Sequence, residues 1–289
     1  MAYALTHRGQ ALLLGGDPQA ALRVLERAEA LFREVGDRWG LALALLYRGN
    51  RAFRLGDHTE ARNLCEQSLA LFRQLGGQIS LTMPLNILGV LALQRGAYGT
   101  ARAQLEEAVQ IRRDLKDRWE CAHLLNSLGD VARREGADER AEASYEESLA
   151  LFREVGSKEG QASVLHNLAR VAHRQGDVRG AAELFARGLA LFGELDDHRG
   201  MAECLAGLAG LAEDPHVAAR LFGAAEAMLE RVGARVWHTN RADHEHAVAA
   251  QRARLDGRHF AEAWKHGREL AVDDAISTAF GSFGPALDG

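Results

Sequence analysis

Apolar and small residues recur along this chain with a helical period and, on a longer scale, with a period of forty residues. Leu125, Leu128 and Ala132 are spaced i, i+3 and i+7, which places them on one face of an α-helix. Shifting this stretch by forty residues in either direction brings the same side-chain types back into register. The pattern therefore predicts one helical unit copied about six times.

Three columns of residues define the unit. A leucine column contains Leu5, Leu45, Leu85, Leu125, Leu165 and Leu205. A column of small residues contains Gly9, Gly49, Gly89, Gly129, Ala169 and Ala209. A second glycine column contains Gly16, Gly56, Gly96, Gly136 and Gly176.

Each glycine column has its own physical cause. The second column lies where a first helix must end, and glycine supplies the left-handed residue that caps it. In the first unit Gly16 is followed by Asp17 as N-cap and Pro18 at the first helical position, which predicts a second helix after the turn. A glycine inside a helix, such as Gly129, costs about 1 kcal/mol relative to alanine. We therefore expect a neighbouring helix to approach closely at that column.

The order of these residues resembles the tetratricopeptide repeat, in a form about forty residues long. The fourth unit carries the pattern as Leu125, Leu128, Gly129, Ala132, Ala141 and Tyr145. The resemblance implies an all-α fold, an α-solenoid of helix-turn-helix repeats in a right-handed superhelix with a C-terminal helical cap. We assign residues 1–232 to six repeats (about 1–40, 41–80, 81–120, 121–160, 161–200 and 201–232), and residues 233–289 to the cap and a frayed end.

Two repeats depart from the pattern. Pro84 falls inside the first helix of the third repeat, where it removes a backbone hydrogen bond, so we expect a late start or a bend. In the sixth repeat Asp214 and Pro215 replace the usual glycine turn, which predicts a connection about three residues shorter.

The tail breaks the forty-residue period but keeps a helical pattern. Thr239 or Asn240 can cap a helix that runs to about Leu255, and we expect Gly257 to end it. A second helix should follow, and then a short third helix after Asp273.

Three segments, one at the end of the sixth repeat and two in the tail, also resemble the C-terminal part of large ATP-dependent LuxR-type bacterial transcriptional regulators. They are residues 219–227, the Phe-x-x-x-Trp segment 260–264, and residues 269–275. The resemblance implies that the repeats form the sensor or interaction arm of a transcriptional or signalling regulator. The sequence itself has no Gly-x-x-x-x-Gly-Lys phosphate loop.

Composition narrows the class of partner. Asp and Glu number 40 and Lys and Arg 35, a net charge of −5, which argues against direct nucleic-acid binding and against an anionic membrane surface. The longest uninterrupted apolar run, residues 41–47, is too short to cross a bilayer. Three cysteines stand singly without metal-ligand spacing, which indicates a reduced, cytoplasmic protein.

No group of residues has the spacing that catalysis requires. His244 and His246 are two apart on a predicted helix and point to different faces, and no activated nucleophile is evident. We therefore expect no catalytic residue, no metal and no cofactor. The favoured function is a non-enzymatic scaffold that binds a protein or peptide, and the alternative is a receptor for a small-molecule effector in the concave groove.

The repeat resemblance also indicates which side chains line that groove, because first helices form its wall. Counting from the leucine and glycine columns gives Asn50, Arg54, Asn86, Gln94, Asn126, Asp130, Arg133, Arg134, His166, Arg170, His173 and Arg174. Guanidinium groups pair with carboxylates, and asparagine suits a peptide backbone. We predict that repeats four and five receive an acidic segment of a partner, with Arg133, Arg170 and Arg174 partly exposed. A solvated wall without a ligand is the alternative interpretation.

The first repeat begins almost at Met1, with no preceding cap repeat. We therefore expect the chain to be part of a longer protein. We also expect Leu5, Leu12 and Leu13 to present an open apolar end through which the chain can self-associate.

Overall fold

The computed structural model describes residues 1–234, 236 and 240–283. Within these ranges the chain forms fifteen α-helices and no β-strand. It divides into two compact units, Met1–Glu135 and Gly136–Gly289. The possible cap at Thr239 and the expected frayed end from residue 284 lie outside the described residues.

The first unit contains seven helices joined by short turns. They are α1 (Ala2–Leu14), α2 (Pro18–Val35), α3 (Arg38–Arg54), α4 (His58–Leu75), α5 (Gln78–Gln94), α6 (Tyr98–Asp114) and α7 (Arg118–Glu135). Consecutive helices pack as pairs, and α3 also contacts both α1 and α5, while α5 contacts α7. The odd-numbered helices therefore form a layer of their own, here called the first-helix layer.

The second unit contains eight helices. They are α8 (Asp138–Glu154), α9 (Lys158–Gln175), α10 (Val178–Glu194), α11 (His198–Leu211), α12 (Pro215–Arg231), α13 (Arg241–Arg252), α14 (Gly257–Arg268) and α15 (Val272–Gly281). Here α9 contacts α11 in the same way, and α11 also contacts α13 and α15 of the tail. Stacked helix pairs in both units confirm the predicted all-α fold class.

The glycines of the second column end first helices as predicted. All five have a positive φ, from 75° at Gly96 to 88° at Gly176, a region that L-residues with side chains rarely adopt. The second helices then begin at Asp17, Asp57 and Asp177, whose carboxylates accept the N–H two or three residues into the helix. The predicted turn positions are therefore confirmed.

The small-residue column marks close helix contacts in the first three repeats. A Cβ on Gly49 would lie 2.7 Å from Cys65 Sγ, and one on Gly89 would lie 2.9 Å from Leu105 Cγ. Both distances are shorter than a van der Waals contact, so a larger residue would push the second helix away. This confirms the packing expectation for these repeats, and for Gly129 it stays a prediction.

The third repeat differs from the expectation for Pro84. Helix α5 begins at Gln78, in step with the other first helices, and Pro84 is buried within it. A late start is therefore wrong, and the alternative, a bend at Pro84, stays a prediction. Buried Leu81, Leu85 and Leu88 follow the helical period on both sides of the proline, and their packing offsets the lost backbone hydrogen bond.

The tail corrects one helix boundary. Gly257 begins α14 instead of ending α13, because the carboxylate of Asp256 accepts the N–H groups of Arg258 and His259. Helix α14 then crosses α12 with backbones almost touching. A Cβ on Gly223 would collide with the carbonyl oxygen of Trp264, and a Cβ on Gly267 with that of Arg220.

The first helix is covered more than expected. Leu13 is buried against Ala21 and Leu25, with Leu12 beside them, and Leu5 packs against the cluster that contains Phe32. These leucines therefore belong to the chain's own core and do not present an open apolar surface. Self-association through this end stays a prediction.

Candidate ligand-binding groove

Seven of the eight candidates in the first unit remain accessible along the first-helix layer. They are Asn50 and Arg54 on α3, Asn86 and Gln94 on α5, and Asn126, Asp130 and Arg134 on α7, all partly or fully exposed. Within the described residues, no donor reaches Oδ1 of Asn86 although that atom is shielded from solvent. A backbone that lies against this wall can therefore reach the exposed parts of these side chains, but not Oδ1 of Asn86.

Arg133 is the exception in this unit. It is only 3% exposed, and Nη2 lies 3.5 Å from the Asp130 carboxylate one helical turn earlier. The expectation of a partly exposed Arg133 is wrong because Arg133 follows the buried pair Val131 and Ala132 and turns toward the packed side of α7. Its charge is balanced within the helix.

In the second unit the structure brings three candidates together around one pocket. His166, Arg170 and His173 of α9 line a cavity of about 510 Å³, a volume that includes its open mouth. Its apolar wall comes from Phe185 of α10, from Ala206, Gly207 and Gly210 of α11, and from Ala247 of α13. Glu203, Asn240, Asp243 and His244 add to the polar wall.

Asn240 is the centre of the polar wall. Its Nδ2 donates to Glu203 Oε2 at 2.6 Å and lies 3.2 Å from His166 Nε2, while its Oδ1 accepts from Arg170 Nη1. His166, Glu203 and Asn240 are 3%, 3% and 5% exposed. Because a buried carboxylate without donors is strongly disfavoured, the amide of Asn240 is part of what allows Glu203 to lie in the core.

The two candidate arginines of the second unit pair with acidic side chains of the chain itself. Arg170 pairs with Asp243 of α13, and Arg174 pairs with Asp138 at the start of α8. The side chain of Arg174 is about two-fifths exposed but does not line the pocket. An acidic partner at Arg170 would therefore have to displace Asp243.

Sequence reasoning missed Glu203, Asn240 and Asp243. A signal for Glu203 was present, since it is a single charge inside the apolar run from Met201 to Leu211 of α11. Asn240 was recognised only as a helix cap. Nothing in the forty-residue period points to α13 as a neighbour of α9, because the tail does not share that period.

Cys204, which lies beside His166 of the pocket, is poorly suited to act as a nucleophile. Cys204 Sγ lies 3.8 Å from His166 Nδ1, but burial raises the pKa of the Cys204 thiol well above its usual range, which disfavours a thiolate nucleophile. In the described part of the chain no cluster of three or more His, Cys, Asp or Glu side chains is placed to hold a metal ion. Among the described helices, none combines the length and apolarity needed to span a membrane.

The sequence model of the tetratricopeptide repeat family matches residues 40–114 and 120–194, which is more than half of the chain. The chain belongs to this family. A search of curated proteins found no match.

Solved structures with similar folds include repeat proteins from several settings. BtubC from P. vanneervenii is 23% identical with a TM-score of 0.57, over 75% of this chain and 88% of that protein. A signal transduction ATPase with numerous domains and a tetratricopeptide repeat sensor from Pyrococcus horikoshii is 14% identical with a TM-score of 0.69, over 96% of this chain and 43% of that protein.

A Rap protein complexed with Competence and Sporulation Factor is also similar. It is 16% identical with a TM-score of 0.61, over 92% of this chain and 76% of that protein. At these identities the likeness concerns the fold alone.

Proposed function

We propose that this chain is a non-enzymatic binding module that receives a protein or peptide partner along its first helices. The observation that carries the proposal is the set of partly exposed asparagines on the first-helix layer of the first unit, Asn50, Asn86 and Asn126. Asparagine both donates and accepts, so such a set can follow the backbone of an extended segment. Membership of a family built from helix-pair repeats supports this function.

We further propose that the module is the sensor or interaction arm of a bacterial transcriptional or signalling regulator in the cytoplasm. It is supported by the likeness of the fold to the repeat sensor of a signal transduction ATPase, of whose length this chain spans 43%. The three C-terminal segments that resemble LuxR-type regulators also support this proposal. Arg54 and Arg134 lie on the accessible wall and favour a partner segment with acidic residues.

The pocket of the second unit favours a second candidate function. A cavity with an apolar wall and convergent polar groups has the composition of a small-molecule site. A small-molecule effector is therefore the alternative ligand.

The two candidates separate in one experiment. The chain is immobilised and exposed to a lysate of its source organism, alongside a variant with Asn86→Ala and Asn126→Ala and a control with Gln110→Ala and Glu147→Ala on second helices. A partner of the first-helix layer is captured by the wild type and the control and is lost from the asparagine variant. If the chain is instead a small-molecule receptor, no protein is captured in this way, and a metabolite extract raises the thermal stability of the chain. The asparagine variant should show the same rise in thermal stability.

A further inference from the structure

The start of α13 contains a conflict between local preference and observed contacts. Asn240 occupies the N-cap of α13, a position where asparagine normally accepts a backbone N–H of its own helix. Here the side chain makes no such bond and turns instead to α9 and α11. Helix α13 therefore lacks a side-chain cap, and contacts with α9 and α11 hold the side chain of Asn240 in place.

Those contacts match the hydrogen-bonding capacity of a primary carboxamide. The oxygen accepts from Arg170, and the nitrogen directs one hydrogen to Glu203 and the other to His166. The orientation of the amide is fixed, because a guanidinium can only donate and a carboxylate can only accept. With Nε2 of His166 as an acceptor, its proton lies on Nδ1, beside Cys204 Sγ.

A second contact lies one helical turn further on. Asp243 pairs with the same Arg170, so a single guanidinium holds the amide oxygen of Asn240 and the carboxylate of Asp243. Asp243 is about 55% exposed, whereas Asn240 is buried. The pair therefore runs from the core to the surface of the unit.

We infer that Arg170, His166 and Glu203 form a receptor for a carboxamide followed three residues later by a carboxylate on a helix, and that the start of α13 is its intramolecular ligand. A partner helix that presents Asn-x-x-Asp competes with α13 for this receptor. Only this last step, the partner, depends on the proposed function.

The receptor excludes other ligand chemistries. A carboxylate in place of the amide would face Glu203, and an ammonium or guanidinium would face Arg170. A hydroxyl can donate only one hydrogen, so it can serve Glu203 or His166 but not both. A carboxamide satisfies all three partners.

The other end of α13 is anchored independently. Gln251 Nε2 donates to the carbonyl oxygens of Gly210 and Ala212 at 3.2 and 3.0 Å, and Arg254 donates to Ala212 and Glu213. The start of the helix can therefore leave the receptor while its end stays attached, which places the natural competitor for any partner at high local concentration.

The experiment measures binding of a fluorescent, N-acetylated peptide with the sequence of residues 240–252 to the full chain. It uses the wild type, a variant with Asn240→Ala and Asp243→Ala whose own α13 cannot fill the receptor, and that variant with Arg170→Gln added. We expect the double variant to bind the peptide roughly tenfold or more tightly than the wild type, since tethered α13 competes in the wild type. A peptide carrying the same two alanines should bind none of the three chains.

Equal binding to wild type and double variant, or binding that survives Arg170→Gln, would overturn the inference. Hydrogen exchange of the double variant covers the case in which the peptide binds too weakly to measure. Faster exchange at residues 241–246, with residues 251–255 unchanged, supports the receptor, and unchanged exchange at 241–246 overturns it. Neither readout needs a natural partner, so failure of the proposed function would leave this result intact.

Discussion

The first-helix positions of the two units carry equivalent residues of the repeat but differ in what covers them. Asn126 on α7 and His166 on α9 are forty residues apart and occupy the same column, yet Asn126 is partly exposed and His166 is buried. The difference comes from α13, which brings Asn240 and Asp243 to α9. A repeat pattern thus predicts where a side chain lies on its helix, and a non-repeating segment decides whether it can meet a partner.

The largest expected effect follows from breaking the docking of the tail. Gly267→Ala places a Cβ against the carbonyl of Arg220, a backbone atom that cannot move aside alone. We expect the free energy of unfolding to fall by about 1–3 kcal/mol or more, as for other overpacked contacts. Urea denaturation measures the loss, and hydrogen exchange should rise in α14.

Gly257→Ala is the matched control for that variant. A Cβ at Gly257, in the first turn of the same helix, meets no atom within 4 Å. This substitution should leave stability unchanged or slightly raised. Equal losses for the two variants would show that the close crossing of α12 and α14 does not hold the tail.

The comparison of the two walls predicts different costs for the same substitution. Asn240→Ala leaves Glu203 in the core without its amide donor and should lower the free energy of unfolding by about 1–3 kcal/mol. Asn86→Ala removes a partly exposed amide on α5 and should change it by less than about 0.5 kcal/mol. Denaturant titration of both variants tests the contrast, and similar losses would contradict it.

Thiol labelling extends the comparison to local opening. Burial raises the pKa of Cys65 to about 12 and that of Cys204 well above its usual range, so neither thiol should react with iodoacetamide at pH 8 in the folded chain. In the Asn240→Ala and Asp243→Ala variant we expect faster labelling of Cys204, which lies beside His166, and no change at Cys65. Mass spectrometry of the alkylated peptides gives both rates.

Much of the fold could be predicted from the sequence because its causes are local and repeated. The glycine turns, the aspartate caps and the leucine columns each act within a few residues, and forty-residue spacing repeats them. Gly257 shows where local signals fail, since glycine is compatible with either end of a helix. Here Asp256 caps the start of α14, so Gly257 begins that helix. The helix positions of the candidate residues in the first unit were predicted for the same local reasons, and their role as a binding wall stays a prediction.

The polar wall of the second unit could not be predicted in the same way. Arg170 was a candidate from its position on α9, but its partners lie on a tail whose packing depends on tertiary contacts such as the crossing at Gly223 and Gly267. The acidic group expected from a partner at Arg170 is present as Asp243 of the chain. The sequence contained the right chemistry but did not indicate that the chain itself supplies the ligand.

The smallest effect is a dependence on pH in α13. Burial lowers the pKa of His244, so the unfolded chain binds a proton at this residue more readily than the folded chain. The stability that neutral His244 contributes is therefore fully present above about pH 6.5, the usual histidine pKa. It is lost as the pH falls toward the pKa of His244 in the folded chain. Urea titrations at pH 7.5 and 5.5 should show a shallower dependence on pH in His244→Gln than in the wild type.

The most direct test of the difference between the two walls is the reactivity of His166 toward diethyl pyrocarbonate, read by mass spectrometry with exposed His7 as an internal reference. We expect His166 to resist modification in the wild type and to react once Asn240→Ala and Asp243→Ala uncover it, while His7 reacts equally in both chains. Rapid modification of His166 in the wild type, or protection that persists in the variant, would contradict the claim that α13 covers this wall.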